Sequence, residues 1–128
     1  MTMTVQLNHT IVSVRDKHEA ASYFTEILGL PAATTYGPFA VVELANHVSL
    51  DFADDHGDVV PRHYAFLVSD AEFDEIFGRI TARGIDYWAD PGQHRPGEIN
   101  HNDGGRGVYW LDPNGHVLEI ITVPYGGG

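Results

Sequence analysis

The hydrophobic and polar positions of this chain predict the same order of elements twice. In the first half, residues 5–14 alternate and are rich in β-branched side chains, which predicts a strand with both faces largely buried. An amphipathic helix of about three turns is expected next, between the capping-box pair Asp16 and Glu19 and the stop signal at Gly29. Three short strands are then expected around residues 33–36, 39–44 and 47–52.

The second half repeats this order from residue 63 onward. The run HYAFLVS predicts a strand. An apolar stripe at helical spacing then predicts a helix from about Ala71 to Arg83. Either Asp70, or Ser69 together with Glu72, caps this helix.

Three further strands are expected after this helix, around residues 86–88, 106–111 and 116–123. The run Asp112-Pro113-Asn114-Gly115 fits a type I turn closed by a glycine. We therefore expect an α+β fold of paired βαβββ modules with two helices and about eight strands. The modules are expected at about residues 5–53 and 62–124, within a single domain that ends in a flexible glycine-rich tail.

A histidine begins the first strand of each predicted module. His9 and His63 are 54 residues apart, and the same offset relates Asp16 to Asp70. A folded repeat of this kind brings equivalent positions together about a pseudo-twofold axis. The two histidines are therefore candidates to share one metal ion or one substrate.

Composition narrows the classes of partner. Seven Lys and Arg against eighteen Asp and Glu give a net charge of −11, and such a field repels phosphate backbones and anionic membranes. The chain has no cysteine, which leaves His, Asp and Glu as the available metal ligands. The N-terminal residues show no signal-peptide pattern. We therefore expect a cytoplasmic protein whose partner is a small molecule rather than a nucleic acid or a membrane.

Four segments carry a family resemblance, and they read LNHTIVSVRD, EILGLP, RHYAFLVSD and GVYWLDPNGHVLEIIT. They resemble the vicinal oxygen chelate superfamily, which contains glyoxalase I, fosfomycin-resistance proteins, extradiol dioxygenases and bleomycin-resistance proteins. The resemblance runs along nearly the whole chain. The resemblance implies strands that curl around a cavity, with the helices outside, and a homodimer. It also implies a divalent metal ion held by His9, His63 and Glu119.

The surroundings of Glu119 agree with a cation at that position. An ionised carboxylate with apolar neighbours on every side incurs a large desolvation cost unless a cation, a donor network or solvent meets it. Two imidazoles and one carboxylate suit Fe²⁺, Mn²⁺, Zn²⁺ or Ni²⁺ without choosing between them. The alternative is a metal-free cavity with a structural cluster of hydrogen bonds.

Asp51 is a further candidate, because glyoxalase I has a fourth ligand on the last strand of its first module. Aligning residues 46–50 with residues 115–119 places Leu50, not Asp51, at the position of Glu119. Side chains alternate along a strand, so Asp51 is expected to point away from the cavity unless a β-bulge shifts it. The sequence therefore favours a three-ligand site.

The segment from Ala89 to Gly105 is long and dense in Pro, Gly, Asn and His, which predicts a functional loop. In and after it we identify three candidate catalytic residues: His101 as an acid or base, Arg106 to hold substrate oxygens, and Tyr109 beside them. The competing interpretation is a solvated loop. Other polar loop residues with the same two interpretations are His94, Arg95, Asn100 and Asn102. The remaining histidines are expected at the surface, namely His18, His47, His56 and His116.

Three classes of function stay open. The first is a small dioxygenase-like metalloenzyme that chelates a substrate through two adjacent oxygens. The second is a glyoxalase-like isomerase or lyase, or a fosfomycin-type thiol transferase, although the chain has few basic residues to hold a phosphonate. The third is a non-catalytic drug-binding protein, as in the bleomycin-resistance branch, which has no need of a metal-ligand set.

Overall fold

The chain divides into two compact units, Met1–Val60 and Pro61–Gly128, of which the computed structural model describes residues 4–125. The glycine-rich tail that the sequence predicts as flexible, residues 126–128, lies outside the described residues. Neither helix within residues 4–125 combines the length and the apolar character that a membrane span requires.

The first unit contains one helix and a four-stranded sheet. Its elements are β1 (His9–Val14), α1 (Lys17–Leu28), β2 (Thr34–Tyr36), β3 (Phe39–Glu43) and β4 (Ser49–Asp54). The strand order is β1-β4-β3-β2, and only the β1–β4 pair is parallel. The first and last strands of the unit are therefore neighbours.

The second unit has the same order and topology. Its elements are β5 (His63–Leu67), α2 (Asp70–Ala82), β6 (Tyr87–Trp88), β7 (Gly107–Leu111) and β8 (Val117–Ile121), with a 3₁₀ turn at Asn102–Gly104 before β7. The strand order is β5-β8-β7-β6, with β5 and β8 parallel. For the described residues this confirms the predicted α+β class with paired βαβββ order.

Side-chain caps set the helix ends as the sequence predicts. The Asp16 carboxylate accepts the N–H groups of His18 and Glu19, and α1 ends at Gly29 in the left-handed conformation, with φ 72°. At α2, Ser69 and Glu72 form a reciprocal capping box. Of the two caps considered for α2, the one with Ser69 and Glu72 is confirmed.

Each sheet has one buried face and one open face. In the first unit, the buried face includes Val12 and Phe52, and Phe52 meets Phe24 of α1 edge to face at 4.8 Å. In the second unit, the residues with side chains on the buried face of β7 and β8 are Val108, Trp110, Leu118 and Ile120. The opposite faces are accessible, since Ile11 is 53% exposed and Leu67 61% exposed.

This accessibility corrects one expectation for the first strand. Its two faces were expected to be largely buried, but β1 begins only at His9 and exposes alternate residues. The β-branched composition is equally compatible with one or two buried faces, because it reports fit to a pleated surface rather than burial. His9 therefore lies on an exposed face.

The sheet registers correct the expected position of Asp51. In β1 and β4, Ile11 pairs with Asp51, and at the equivalent place in β5 and β8 Ala65 pairs with Glu119. Asp51 is thus the counterpart of Glu119 and shares a sheet face with His9. The expected counterpart, Leu50, is instead buried in the core.

The error in the sequence alignment arises at the turns. In β8 the turn ends at Gly115 with φ 88°, and in β4 the equivalent left-handed residue is His47 with φ 65°. Matching backbone hydrogen bonds close the two turns: the N–H of Leu44 donates to the carbonyl of Val48, and the N–H of Asp112 donates to the carbonyl of His116. Aligning the two histidines by residue type shifted the register by one, which moves every side chain to the other face.

Candidate functional site

The second unit brings together two of the predicted metal ligands, His63 and Glu119. They lie on the parallel neighbours β5 and β8, and both side chains are on the open face of the sheet. Nε2 of His63 is 3.0 Å from Oε1 of Glu119. The His63 side chain is 48% exposed and the Glu119 side chain only 12%. The imidazole is therefore accessible, while the carboxylate is largely covered.

The second ring nitrogen of His63 defines how this imidazole is protonated. Nδ1 lies 3.0 Å from the carbonyl oxygen of Val117. A carbonyl can only accept, so Nδ1 carries a proton and donates. In the neutral ring, the lone pair of Nε2 then faces a Glu119 carboxylate that also only accepts. A second proton on the ring, or a cation bound between the two groups, satisfies both of them.

The chemistry of these donors fits a divalent metal ion. Two ligand atoms bound at about 2.1 Å and at right angles lie about 3.0 Å apart, which matches the 3.0 Å between His63 Nε2 and Glu119 Oε1. Histidines that bind metals commonly donate their other N–H to a carboxylate or a backbone carbonyl, as His63 does to Val117. Among residues 4–125, no group of three or more His, Cys, Asp or Glu side chains is assembled for a metal ion.

Tyr109 completes this cluster on the next strand. It lies opposite Glu119 in the β7–β8 register, and its ring stacks near that of His63 with 6.0 Å between centroids. Burial, together with the hydrogen bond to Glu119 and the charge of that carboxylate, raises the pKa of Tyr109 above its ordinary value of 10.0. The hydroxyl is therefore held protonated and acts as a donor to Glu119.

A cavity of about 320 Å³ adjoins Glu119 and Tyr109. Its other walls come from the end of β8, from the segment after it and from the long loop, with Asn100, Asn102, Asp103, Arg106, Ile121, Val123 and Tyr125. Of the nine lining side chains, two are phenolic, two are aliphatic, two are amides, two are carboxylates and one is a guanidinium. The cavity can thus hold a small molecule of mixed polarity beside the His63–Glu119 pair.

Arg106 lines this cavity, but its guanidinium is already bound to acidic residues. Its Nη1 donates to Asp74 Oδ1 at 2.7 Å, and its Nη2 donates to the backbone carbonyl and the side-chain Oδ1 of Asp70. These two carboxylates raise the pKa of Arg106, and its guanidinium also lies over the Phe73 ring, 4.3 Å from the centroid. The structure thus gives Arg106 a role in joining β7 to α2, and its predicted contact with substrate stays a prediction.

The long loop is ordered by internal hydrogen bonds. The Asp90 carboxylate accepts hydrogen bonds from the backbone N–H groups of His94 and Arg95. These bonds lower the pKa of Asp90, and the bond from His94 has the larger effect. At the other end, the buried Asn100 donates its side-chain N–H to Ala89 O at 2.8 Å. Gly107 is required there, because a Cβ at this position would lie 2.8 Å from Asn100 Oδ1.

Of the loop residues that the sequence offers for chemistry, the two amide side chains, Asn100 and Asn102, line the cavity. His101 lies between them but is exposed and is absent from the cavity wall. His94 and Arg95 are also exposed, and they contact Asp90 and Glu98 instead. An acid or base role for His101 stays a prediction.

The third predicted ligand, His9, belongs to the first unit. Its side chain is exposed, and its Nδ1 is 2.8 Å from the side-chain oxygen of Asn8 rather than from a backbone carbonyl. On the same sheet face, Asp51 is largely buried and accepts a hydrogen bond from Ser49 at 2.9 Å. The two units therefore repeat the His and carboxylate positions with different local partners.

His116 differs from its expected surface location, because it is fully buried. Its Nδ1 accepts the backbone N–H of Arg62. The other three expected surface histidines, His18, His47 and His56, are exposed as predicted. Alternation in β8 could have shown the difference, since residue 116 shares its face with the buried Leu118 and Ile120.

Two curated proteins are similar to this chain over most of its length. Over 124 residues, the chain is 27% identical to the glutathione transferase FosA of Serratia marcescens, covering 92% of this chain and 81% of that protein. It is also 27% identical over 121 residues to the metallothiol transferase FosB of Shouchella clausii (strain KSM-K16), covering 91% of this chain and 79% of that protein.

Solved structures include much more similar proteins. The structure named oxidase ChaP-H1 is 64% identical, with a TM-score of 0.95, over 97% of this chain and all of that one. Oxidase ChaP-H2 is 62% identical, also with a TM-score of 0.95, over 98% of this chain and all of that one. Residues 6–120 match the family model of the Glyoxalase/Bleomycin resistance protein/Dioxygenase superfamily, and the chain belongs to this superfamily.

Proposed function

We propose that this protein is a metal-dependent oxidase that acts on a small organic molecule with two adjacent oxygens, at a divalent ion held by His9, His63 and Glu119. The observation that carries the proposal is the His63–Glu119 pair. Its donor atoms are 3.0 Å apart, and the imidazole is turned by the Val117 carbonyl so that Nε2 faces the carboxylate. His9 is included because it occupies the place of His63 in the repeated unit.

The choice of oxidation rests on similarity. The two proteins named as oxidases are 62–64% identical to this chain over nearly its whole length, whereas the three transferases are 25–27% identical. When bound, Fe²⁺ would supply an electron donor for O₂ and a Lewis acid for the substrate oxygens. The name of FosB, a metallothiol transferase, independently associates a more distant relative with a metal.

The chain's own residues have separable roles in this proposal. His63 and Glu119 bind the ion, and Tyr109 donates a hydrogen bond that orients the Glu119 carboxylate. The cavity of about 320 Å³ holds the substrate beside them, with Ile121 and Val123 as its apolar wall. The substrate thereby lies next to the ion without an added charge from Arg106, which Asp70 and Asp74 neutralise.

A thiol transferase is the second candidate, because all three curated relatives carry that activity in their names and cover more than nine-tenths of this chain. The cavity wall weighs against an anionic substrate such as a phosphonate. Among the described residues that line it, Arg106 is the one basic side chain, and its guanidinium is held by two carboxylates.

The test begins with elemental analysis of protein purified without oxygen and then loaded with Fe²⁺. We expect about one ion per chain in the wild type and a marked loss in His63→Ala, Glu119→Gln and His9→Ala. His56→Ala, which removes an exposed histidine from a loop, is the matched control and should retain the metal. Equal and negligible metal in every sample would refute the metalloenzyme proposal.

Metal-loaded protein is then offered catechols and 2-hydroxyketones, and O₂ consumption is followed together with the products. Oxygen uptake in the wild type that is lost in Glu119→Gln supports the oxidase. Consumption of glutathione with fosfomycin, without oxygen uptake, would instead establish the transferase. Tight binding of the probes with no turnover of either kind would favour a binding protein.

A further inference from the structure

His116 lies fully buried where the chain enters β8, on the face of the strand opposite to Glu119. Its Nδ1 accepts the backbone N–H of Arg62 at 3.0 Å. The carbonyl of Arg62 accepts the N–H of Val117 at 2.8 Å. Arg62 is therefore hydrogen-bonded on both sides to two consecutive residues, His116 and Val117.

Arg62 immediately precedes His63, so these bonds fix the backbone from which the His63 side chain projects. The Arg62 N–H and carbonyl belong to the two peptide planes that flank Arg62, and the second plane carries the amide of His63. With both planes held, the His63 ring lies where Nδ1 donates to Val117 O and Nε2 meets Glu119. Val117 thus bonds both the backbone before His63 and its ring, while His116 bonds only that backbone.

The position of His116 is itself fixed by the turn before β8. The Asp112 carboxylate accepts the N–H groups of Asn114 at 2.9 Å and of His116 at 2.7 Å. The backbone of Asp112 also donates to the carbonyl of His116 at 3.0 Å. Because Nδ1 of His116 accepts the Arg62 N–H, this nitrogen carries no proton. The bonds of the turn hold the backbone of His116 in place for this contact.

Among the described residues of the first unit, no side chain takes the place of the His116 acceptor. The bond from Val117 to Arg62 has its counterpart in the bond from Ser49 N–H to Asn8 O at 3.0 Å, but the residue in the place of His116 is Val48. Valine has no side-chain acceptor for the Asn8 amide. His9, whose ring bonds to the exposed side chain of Asn8, therefore has no equivalent of the His116 contact.

We propose that His116 is a positioning residue that presets the orientation of His63 for metal binding; this rests on the metal site proposed above and deepens it. His116 does not contact the ion or the substrate. It acts through Arg62, and it makes His63 the preorganised ligand of the two repeated histidines. Outer contacts of this kind commonly contribute about 10–100-fold to metal affinity.

The test compares His116→Leu, which removes the acceptor, with His116→Asn, whose side-chain oxygen can accept the Arg62 N–H. We measure the dissociation constant for Mn²⁺ by calorimetry on the full chain. Affinity should fall about 10–100-fold in His116→Leu and return to within about threefold of the wild type in His116→Asn. Ile76→Ala, in the core of the same unit, controls for lost stability and should keep its Mn²⁺ affinity.

A second measurement separates failure of this proposal from failure of the proposed function. Nitrogen-15 NMR of the metal-free protein reports on the hydrogen bond from the Nδ1 proton of His63 to the carbonyl of Val117. This hydrogen bond should be present in the wild type and in His116→Asn, and it should be weakened in His116→Leu. If no variant binds Mn²⁺, this readout alone decides. An unchanged His63 spectrum in His116→Leu, unchanged Mn²⁺ affinity there, or equal loss in Ile76→Ala would each overturn the proposal.

Discussion

Replacing Tyr109 with phenylalanine tests how the Glu119 carboxylate is held. The substitution keeps the ring that stacks near His63 and removes only the hydroxyl that hydrogen-bonds to Glu119. A hydrogen bond to a charged group contributes about 1.5–3 kcal/mol. Water can replace it only in part, because the Glu119 side chain is 12% exposed. We expect the dissociation constant for Mn²⁺ to rise about 10–100-fold, equivalent to about 1.4–2.8 kcal/mol.

The assay is calorimetric titration of metal-free protein with Mn²⁺, which avoids oxidation of iron. Tyr87→Phe is the matched control, because Tyr87 lies on the buried face of the same sheet, packed against Phe77. We expect its affinity to equal that of the wild type. The reasoning is refuted if Tyr109→Phe binds Mn²⁺ within about twofold of the wild type while Glu119→Gln does not bind it, because outer contacts of this kind normally change affinity about 10–100-fold.

The same variant has a predicted effect on the pH dependence of stability. Burial raises the pKa of Tyr109 above its ordinary value of 10.0, and the hydrogen bond to Glu119 adds to the effect. Burial also raises the pKa of Tyr64, although the charge of Arg62 opposes the effect. Above pH 10 the unfolded chain loses these protons while the folded chain keeps them, so the free energy of unfolding falls as the pH rises. In urea titrations from neutral pH to above pH 10, Tyr109→Phe should show a shallower fall than the wild type. An equal slope in both proteins would contradict the assignment.

Three further predictions concern the register, the cavity wall and the loop. Asp51 shares the sheet face of His9, but its carboxylate is largely buried and already accepts a hydrogen bond from Ser49. Asp51→Asn should therefore leave the metal content near one ion per chain while Glu119→Gln loses it; parallel loss in both would show that Asp51 is a fourth ligand. Arg106→Gln should lower the free energy of unfolding by about 1–2 kcal/mol, because it removes two ion pairs to exposed carboxylates and a cation–π contact. Urea titration in about 1 M salt should show a smaller loss, because salt screens the ion pairs. Gly107→Ala should cost about 1–3 kcal/mol, because its Cβ would lie 2.8 Å from a side-chain oxygen of the loop. Gly78→Ala, in α2 with open space around the new Cβ, should instead stabilise the protein by about 0.5–1 kcal/mol; equal effects of the two glycine substitutions would contradict the steric argument.

The elements could be predicted from sequence because local chemistry determines them. Asp16 and Ser69 satisfy the first amides of the two helices, and Gly29 and Gly115 take backbone conformations that other residues adopt only at a cost. The family could also be recognised from the sequence, because the segment after Gly107 carries a specific sequence pattern. Which face of β1 is exposed could not be predicted from the sequence, because it depends on what the rest of the chain covers.

The site was predictable only in part, because register depends on the turns. His63 and Glu119 were placed correctly on one face, since each alternates with apolar neighbours that the core requires. Asp51 was assigned to the wrong face because His47 is a non-glycine residue in a left-handed conformation, which residue type alone does not reveal. The burial of His116 could have been inferred from alternation with Leu118 and Ile120, but its hydrogen-bond partner could not, because that partner is a backbone amide 54 residues away.

These differences change how the repeat bears on function. In both units the first strand begins with a histidine, and the neighbouring strand carries a carboxylate two places further along. In the second unit the backbone carbonyl of Val117 orients that histidine and Tyr109 holds the carboxylate. In the first unit the histidine contacts the exposed side chain of Asn8, and Ser49 donates to the carboxylate. A preset ligand loses little conformational entropy when the ion binds, whereas an exposed one must be ordered at that step. The two histidines occupy equivalent positions in the repeat but should contribute unequally to metal affinity. Substitution of His63 should therefore weaken Mn²⁺ binding more than substitution of His9.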